Sequence, residues 1–320
     1  MIPMKKEMAE KPLVLELRLI QGLVVKVAEP LARYTSIKIG GPADYFLDVE
    51  SNAVLAMTIH TLNRYGIQFS LLGKGSNVLV SDLGVRGAVL RLRGKFNEIE
   101  WGEELGQAWV RVGAAYPVTR LVREAVGRGY SGLEFAEGIP GSVGGALIMN
   151  AGAYGSEMDK VVDRVEGVTR EGESVKFCRE ELTFSYRHAC LPSGIIVTRV
   201  RLRLGKGEVG QMRLNVRGLV DRRKKSQPSG YPNSGSMFRN PPGDFAGRLI
   251  EAAGLKGTRV GNAEVSDRHA NFIVNLGGAK GEDVRRLMVI VGAEVQKKFG
   301  VQLESEVQLL GEWSDRAVKG

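Results

Sequence analysis

The chain has 320 residues, 43% of them apolar, with 42 glycines, two cysteines and a formal net charge of +9. That length leaves room for about two domains, or three small ones, and the apolar share is enough for a core. The apolar runs, such as Gly22 to Val25, are far too short to span a bilayer.

Other function classes are excluded residue by residue. Met1 to Glu7 holds no apolar signal region. Cys178 and Cys190 are too few for a disulfide framework and lack a zinc spacing. His60, His188 and His269 are too dispersed for a metal triad, so no metal is expected. These features imply a cytoplasmic protein without membrane insertion. The cations are scattered, and their densest run, Arg222 to Lys225, reads as a solvated helix end. No zinc finger, helix-turn-helix or RNA-binding signature accompanies it, so nucleic acid is not the expected partner. A basic balance equally attracts anionic small molecules such as nucleotides.

In chain order, residues 1 to 22 read as a variable leader with a short helix over Leu13 to Ile20. Ser51 to Tyr65 reads as a helix with Ser51 as N-cap and Gly66 as stop. Leu71-Leu72 enters a first glycine loop, which Asn77 to Val80 leaves as a strand. Val89 to Arg93 and Ala108 to Val112 are further strands, and Pro117 opens a helix to Val126. This mixture lacks a clean βαβ period, which predicts α+β construction. The texture changes near residue 205. Helices follow over Glu208 to Lys225, Asp244 to Ala253 and Lys280 to Phe299, the last with Val284, Leu287, Met288, Val291, Val295 and Phe299 on one face. Val301 to Leu310 alternates and reads as a strand with Glu304 and Glu306 on the same face.

Two glycine-rich loops carry the chemistry. Gly73-Lys74-Gly75-Ser76-Asn77 is one. Gly138-Ile139-Pro140-Gly141-Ser142-Val143-Gly144-Gly145 is the other, followed by Asn150 to Gly155. Glycines strip away side chains so that backbone N–H groups can approach a diphosphate, and Pro140 stiffens the second turn. Neither loop is a dinucleotide fingerprint or a Walker A loop. An extended phosphate-bearing cofactor fits both. Ser236 lies in a tight glycine turn without the spacing of a nucleophile elbow, so it is an ordinary turn serine or a proton relay. Arg187, beside Phe184 and Tyr186, is a stacking arginine or a clamp for a substrate carboxylate. Glu304 and Glu306 form a solvated strand face, or one of them acts as an acid or electrostatic partner.

In their order along the chain these motifs resemble the UDP-N-acetylenolpyruvoylglucosamine reductases. Tyr34 to Asp44 is similar to the family's opening signature, and the two glycine loops to its FAD loops. Tyr186-Arg187, Gly235-Ser236-x-Phe238-x-Asn240-Pro241 and Leu303-Glu304-x-Glu306-Val307 then match in sequence. The likeness covers roughly residues 22 to 312. It implies an α+β fold: a two-subdomain FAD-binding region of the vanillyl-alcohol-oxidase/PCMH type (23–90 and 91–205) and a C-terminal α+β substrate-binding domain (206–320). It also implies FAD as cofactor, NADPH as co-substrate and UDP-N-acetylglucosamine enolpyruvate as substrate, in a monomer.

Position by position, the resemblance implies that Ser236 is the proton donor and that Arg187 and Glu306 are the other two catalytic residues. Gly73, Lys74, Gly75, Ser76, Asn77, Gly138, Ile139, Pro140, Gly141, Ser142, Gly144 and Gly145 would hold FAD. Tyr186, Lys225, Asn240, Lys256 and His269 would contact the UDP-sugar, with Lys224 competing for the place of Lys225. His269 departs from the glutamine of the better-known branch, and that branch's extra tyrosine-bearing loop is missing, as in the shorter type of enzyme. The competing expectations are a flavin oxidase of the same cofactor fold and a UDP-sugar-binding module.

Overall fold

The computed structural model describes residues 12–192 and 194–314; the first half of the predicted leader lies outside them. Helix α1 covers 12–19, as its apolar pattern predicts. The chain divides into two compact units. Among the described residues, the first holds 12–27, 45–73 and 87–220, and the second holds 28–44, 74–86 and 221–314.

The first unit is built around an antiparallel sheet ordered Ser174–Cys178, Val162–Val168, Ile196–Lys206, Gln107–Gly113, Ile99–Glu104. Alternation decides its faces. Ala108, Val110 and Val112 are buried, and so are Val200, Leu202 and Leu204 across from them, whereas the intervening positions hold Trp109, Arg111, Arg199, Arg201 and Arg203. Arg111 meets Glu166 at 2.7 Å and Arg201 meets Glu104 at 2.7 Å, so the polar face is laced with cross-strand ion pairs. Helix α2 (Asn52–Arg64) starts where Ser51 Oγ accepts from the Val54 amide at 3.4 Å. Helix α3 (Val118–Gly127) follows Pro117 and buries Val118, Leu121, Val122, Ala125 and Val126. Burying each of the valines and the leucine contributes about 1.5–3 kcal/mol. Helix α4 (Val143–Ile148) leaves the second glycine loop with Ser142 as N-cap. Helix α5 (Val209–Ser226) ends in Arg223, Lys224 and Lys225, the solvated basic end expected.

In the second unit, the antiparallel sheet runs Asn233–Ser236, Phe272–Asn275, Ala263–Val265, Arg259–Val260. Helices α6 (Ala246–Ala252) and α7 (Gly281–Phe299) close its core. The Asp82 carboxylate caps α7 from far away in sequence, accepting from Gly281 N at 2.8 Å and Glu282 N at 3.0 Å, where the helix dipole favours an anion. Val284, Leu287, Met288, Val291 and Val295 are buried as predicted. Phe299 is 39% exposed, because Gly300 turns the chain with φ +70° before that last side chain reaches the core.

Three expectations need correction. Val301–Leu310 is not one strand: only Gln308–Leu310 pairs, in parallel with Val78–Val80, and Ser305 makes a separate bridge to Phe238. Helix α6 starts at Ala246 rather than Asp244, whose carboxylate instead takes the Phe245 amide at 2.7 Å. Ser236 sits not in a tight turn but at a bulged strand end, with the register shifting between Asn233 and Ser236. Among the described residues no helix is long and apolar enough to cross a membrane.

Candidate active site

The two glycine loops follow from local chain requirements. Gly75 has φ +61°, and an added Cβ would run into the backbone carbonyl of Tyr34. Glycine is therefore obligatory there. Its own carbonyl accepts from Ser36 N at 2.9 Å, which explains why the Tyr34 to Asp44 signature accompanies the loop: it is the loop's supporting wall. In the first unit, a Cβ added at Gly73 would come within 3.0 Å of Ser142 Oγ. The end of the first loop's entering strand thus lies against the second loop. Tertiary structure brings together what seventy residues of sequence separate.

A buried carboxylate precedes the second loop. The Glu137 carboxylate just before it is 2% exposed and is engaged by Arg123 Nη2 at 2.9 Å and Nε at 3.2 Å. Its charge is therefore neutralised from α3. Residues 138–145 contain no other carboxylate, nor do residues 73–77; Ser142 supplies a donor in the one loop, and Lys74 and Ser76 supply donors in the other. Each loop by itself has the donor chemistry that suits a phosphate-bearing cofactor.

Arg187 occupies the turn of a hairpin between Thr183–Ser185 and His188–Cys190. Its φ is +58°, a left-handed backbone that costs an ordinary residue roughly 1–2 kcal/mol. Arg187 Nη1 donates to Gly152 O at 2.8 Å, and its guanidinium carbon stands 5.3 Å from the ring centre of the exposed Tyr186.

The segments carrying Ser236 and Glu306 run side by side in the second unit. The Glu306 amide donates to Met237 O at 2.8 Å, and the Arg239 amide donates to Glu304 O at 2.9 Å. This local antiparallel bridge ties the backbone just after Ser236 to the backbone around Glu306. Gly235, with φ +76°, forms the bulge that re-aims Ser236. The two glutamates now separate: Glu304 is exposed and reaches Arg239 at 3.6 Å, whereas Glu306 is half-buried. Glu304 is the solvated partner and Glu306 the inward one.

Of the predicted substrate contacts, Asn240, Lys256 and His269 lie around α6, whereas Tyr186 belongs to the hairpin of the first unit. Asn240 Oδ1 accepts from the Ala246 amide at 3.1 Å, so part of that side chain starts the helix. Lys256 pairs with Glu251 at 2.6 Å. Lys225 O accepts from Arg268 Nε at 3.1 Å, which sets the basic end of α5 beside His269. Burial pushes the His269 pKa down, and nearby Lys256 adds to that. Its Nδ1 accepts from the Asn271 amide at 3.3 Å, so the neutral ring carries its proton on Nε2.

Sequence reasoning missed the asparagines that hold these elements. Asn271 clamps Phe238, donating to its carbonyl at 2.8 Å and accepting from its amide at 2.9 Å. Asn77, expected at the cofactor, turns its Nδ2 to Glu306 O at 3.0 Å. Their only sequence signal is an amide side chain next to a catalytic motif.

A glycine-loop FAD-binding region followed by a serine–glutamate unit defines a flavoprotein oxidoreductase. Residues 43–177 match the FAD binding domain family, and residues 227–310 match the UDP-N-acetylenolpyruvoylglucosamine reductase C-terminal domain. The UDP-N-acetylenolpyruvoylglucosamine reductase 2 of Symbiobacterium thermophilum is 46% identical over 288 residues, covering 90% of this chain and 92% of that one. The corresponding reductase of an Anaeromyxobacter species is 43% identical over 304 residues, with 95% and 93% covered. The crystal structure of the Thermus caldophilus enzyme superposes with a TM-score of 0.76 at 40% identity, covering 90% of this chain and 98% of that one. The chain belongs to the UDP-N-acetylenolpyruvoylglucosamine reductase family.

Proposed function

We propose that this protein reduces UDP-N-acetylglucosamine enolpyruvate to UDP-N-acetylmuramate for peptidoglycan precursor synthesis, using FAD and NADPH. The observation that carries the reading is the backbone bridge joining the Ser236 strand to Glu306, in a chain of this family. When bound, FAD would supply the hydride chemistry between NADPH and the vinyl carbon of the enolpyruvyl group. Negative charge then builds on the substrate carboxylate. Arg187 holds that carboxylate, since a planar fork suits it better than a point charge. Ser236 Oγ gives its proton to the carbon adjacent to the one that receives hydride, and Glu306 organises the site and its charge.

On the same reading the backbone of residues 73–77 and 138–145 holds the cofactor diphosphate. Tyr186, Lys225, Asn240, Lys256 and His269 contact the UDP-sugar. The functional division is 23–90 and 91–205 for FAD, and 206–320 for substrate. The protein works as a cytoplasmic monomer.

The test is spectroscopic. The purified protein is loaded with FAD, desalted, treated with NADPH without oxygen, and then given the enolpyruvyl sugar. A retained yellow band that NADPH bleaches and the sugar restores is the expected result. Bleaching without restoration would overturn the substrate. A protein that retains no flavin would be a UDP-sugar-binding module instead, and fast reoxidation by oxygen would mark an oxidase.

A further inference from the structure

Asn150 lies one residue beyond Met149, the C-cap of α4, the helix that leaves the second glycine loop. It is fully buried, at 0% exposure, and its φ is +38°, a left-handed backbone in which asparagine is enriched. Its Nδ2 donates to Ser185 O at 3.1 Å, and its Oδ1 accepts from Asp159 N at 3.0 Å. A backbone amide on one side and a carbonyl on the other fix which way the side-chain amide points. Ser185 is the last residue before the Tyr186-Arg187 turn, and Arg187 Nη1 reaches back to Gly152 O at 2.8 Å. The segment 150–152 therefore grips the arginine twice, at the backbone entering its turn and at the tip of its side chain. A long, rotamer-rich side chain on a strained turn would otherwise sample many directions.

We propose that Asn150 is the positioning residue for Arg187, fixing the direction in which the guanidinium fork meets the substrate carboxylate. This rests on the reading of Arg187 given above. Asn150 never touches the substrate. It acts through the Ser185 carbonyl, and it ties the arginine to the helix whose other end carries Ser142 and Gly145.

Asn150→Asp separates this role from simple core filling. The substitution keeps the shape and the acceptor for Asp159 N, but an ionised carboxylate cannot donate to Ser185 O. Burial disfavours the charge, so the introduced carboxyl titrates above the ordinary value of about 3.9. Once protonated, its O–H can donate again. Above that pKa, flavin reoxidation by the enolpyruvyl sugar is expected to fall about 10- to 100-fold, the scale of a small misplacement of a reacting group. Reduction of the flavin by NADPH and FAD affinity of the apoprotein by calorimetry should stay near wild type, while the thermal midpoint falls above that pKa and recovers on acidification, because the buried charge costs stability only when ionised. Relative to wild type at each pH, reoxidation should recover on acidification.

Wild-type reoxidation in Asn150→Asp overturns the proposal. So does an equal fall in both half-reactions and in FAD affinity without recovery at low pH. Should that variant fail to fold, Asn150→Gly suits the left-handed backbone and removes the same donor, with the same split expected and no recovery. Arg187→Ala is measured alongside. If it slows reoxidation while both Asn150 variants do not, only the positioning role falls. If Arg187→Ala reoxidises at the wild-type rate, the reading of Arg187 falls, and this inference with it.

Discussion

The side-chain amide of Asn77 donates to the backbone carbonyl of Glu306 at 3.0 Å, while the Asn77 carbonyl accepts from the amide of Gln308 at 3.1 Å. On its other side, the Glu306 amide is taken by Met237 O at 2.8 Å. Both backbone groups of the glutamate are thus engaged, one by the first glycine loop and one by the Ser236 strand. Its side chain moves only as far as its own rotamers allow. Asn77→Ala should cost about 1 kcal/mol, the net worth of an ordinary hydrogen bond, read as a lower urea midpoint. It should also reduce kcat more than it raises KM, because Glu306 loses its fixed origin.

Ser236→Ala tests the proton donor. Reduction of the flavin by NADPH should persist, while reoxidation by the enolpyruvyl sugar should slow by about 10² to 10⁴, the range of general acid catalysis. Stopped-flow absorbance of the two half-reactions separates them. An equal loss in both would sink the assignment.

Gly75→Ala should damage the first loop by two routes. Its φ of +61° costs a side chain roughly 1–2 kcal/mol, and the new methyl would press on the Tyr34 carbonyl. The expected outcome is a lower thermal midpoint together with loss of FAD on desalting. A variant that kept flavin with native affinity would show that the loop does not hold the cofactor.

His269 makes stability depend on pH. Its folded pKa lies below the unfolded value of about 6.5, chiefly because it is buried. Its contribution is therefore fully present above pH 6.5 or so, and is lost as pH falls through the folded pKa, since the unfolded chain binds the proton more readily. His269→Gln should flatten that part of the profile, measured as the thermal midpoint between about pH 7.5 and 5. An unchanged slope would mean that another group is responsible.

Leu287 lies at 0% exposure on the buried face of α7. Leu287→Ala should cost about 2–5 kcal/mol through lost burial and a residual cavity, read as a lower urea midpoint. The smaller cost expected of Asn77→Ala provides the contrast between a core contact and a polar staple.

Much of the fold was legible because its signals are local. Ser51 and Gly66 bracket α2, and the apolar spacing from Val284 to Val295 is the buried face of α7. The glycine loops and the Arg187, Ser236 and Glu306 motifs could be read in order. The alternation of Val301 to Leu310 misled, since period two reports a preference for extended chain and not the partner it meets. Here the segment is divided between a bridge to Phe238 and a parallel pairing with Val78–Val80. Nor did any local signal mark Asn150 or Asn271, because an amide's worth depends on which carbonyl a distant segment brings to it.

By itself the sequence determined the elements, the order of the motifs and hence the family, since caps, periodicity and glycine spacing act within a few residues. Only the tertiary structure decided which of Glu304 and Glu306 turns inward, and that the strained Arg187 turn is held by Asn150 and Gly152. Those outcomes depend on hydrogen bonds between segments tens to hundreds of residues apart. Their partners are fixed only when the chain has closed its loops and buried its polar groups in pairs.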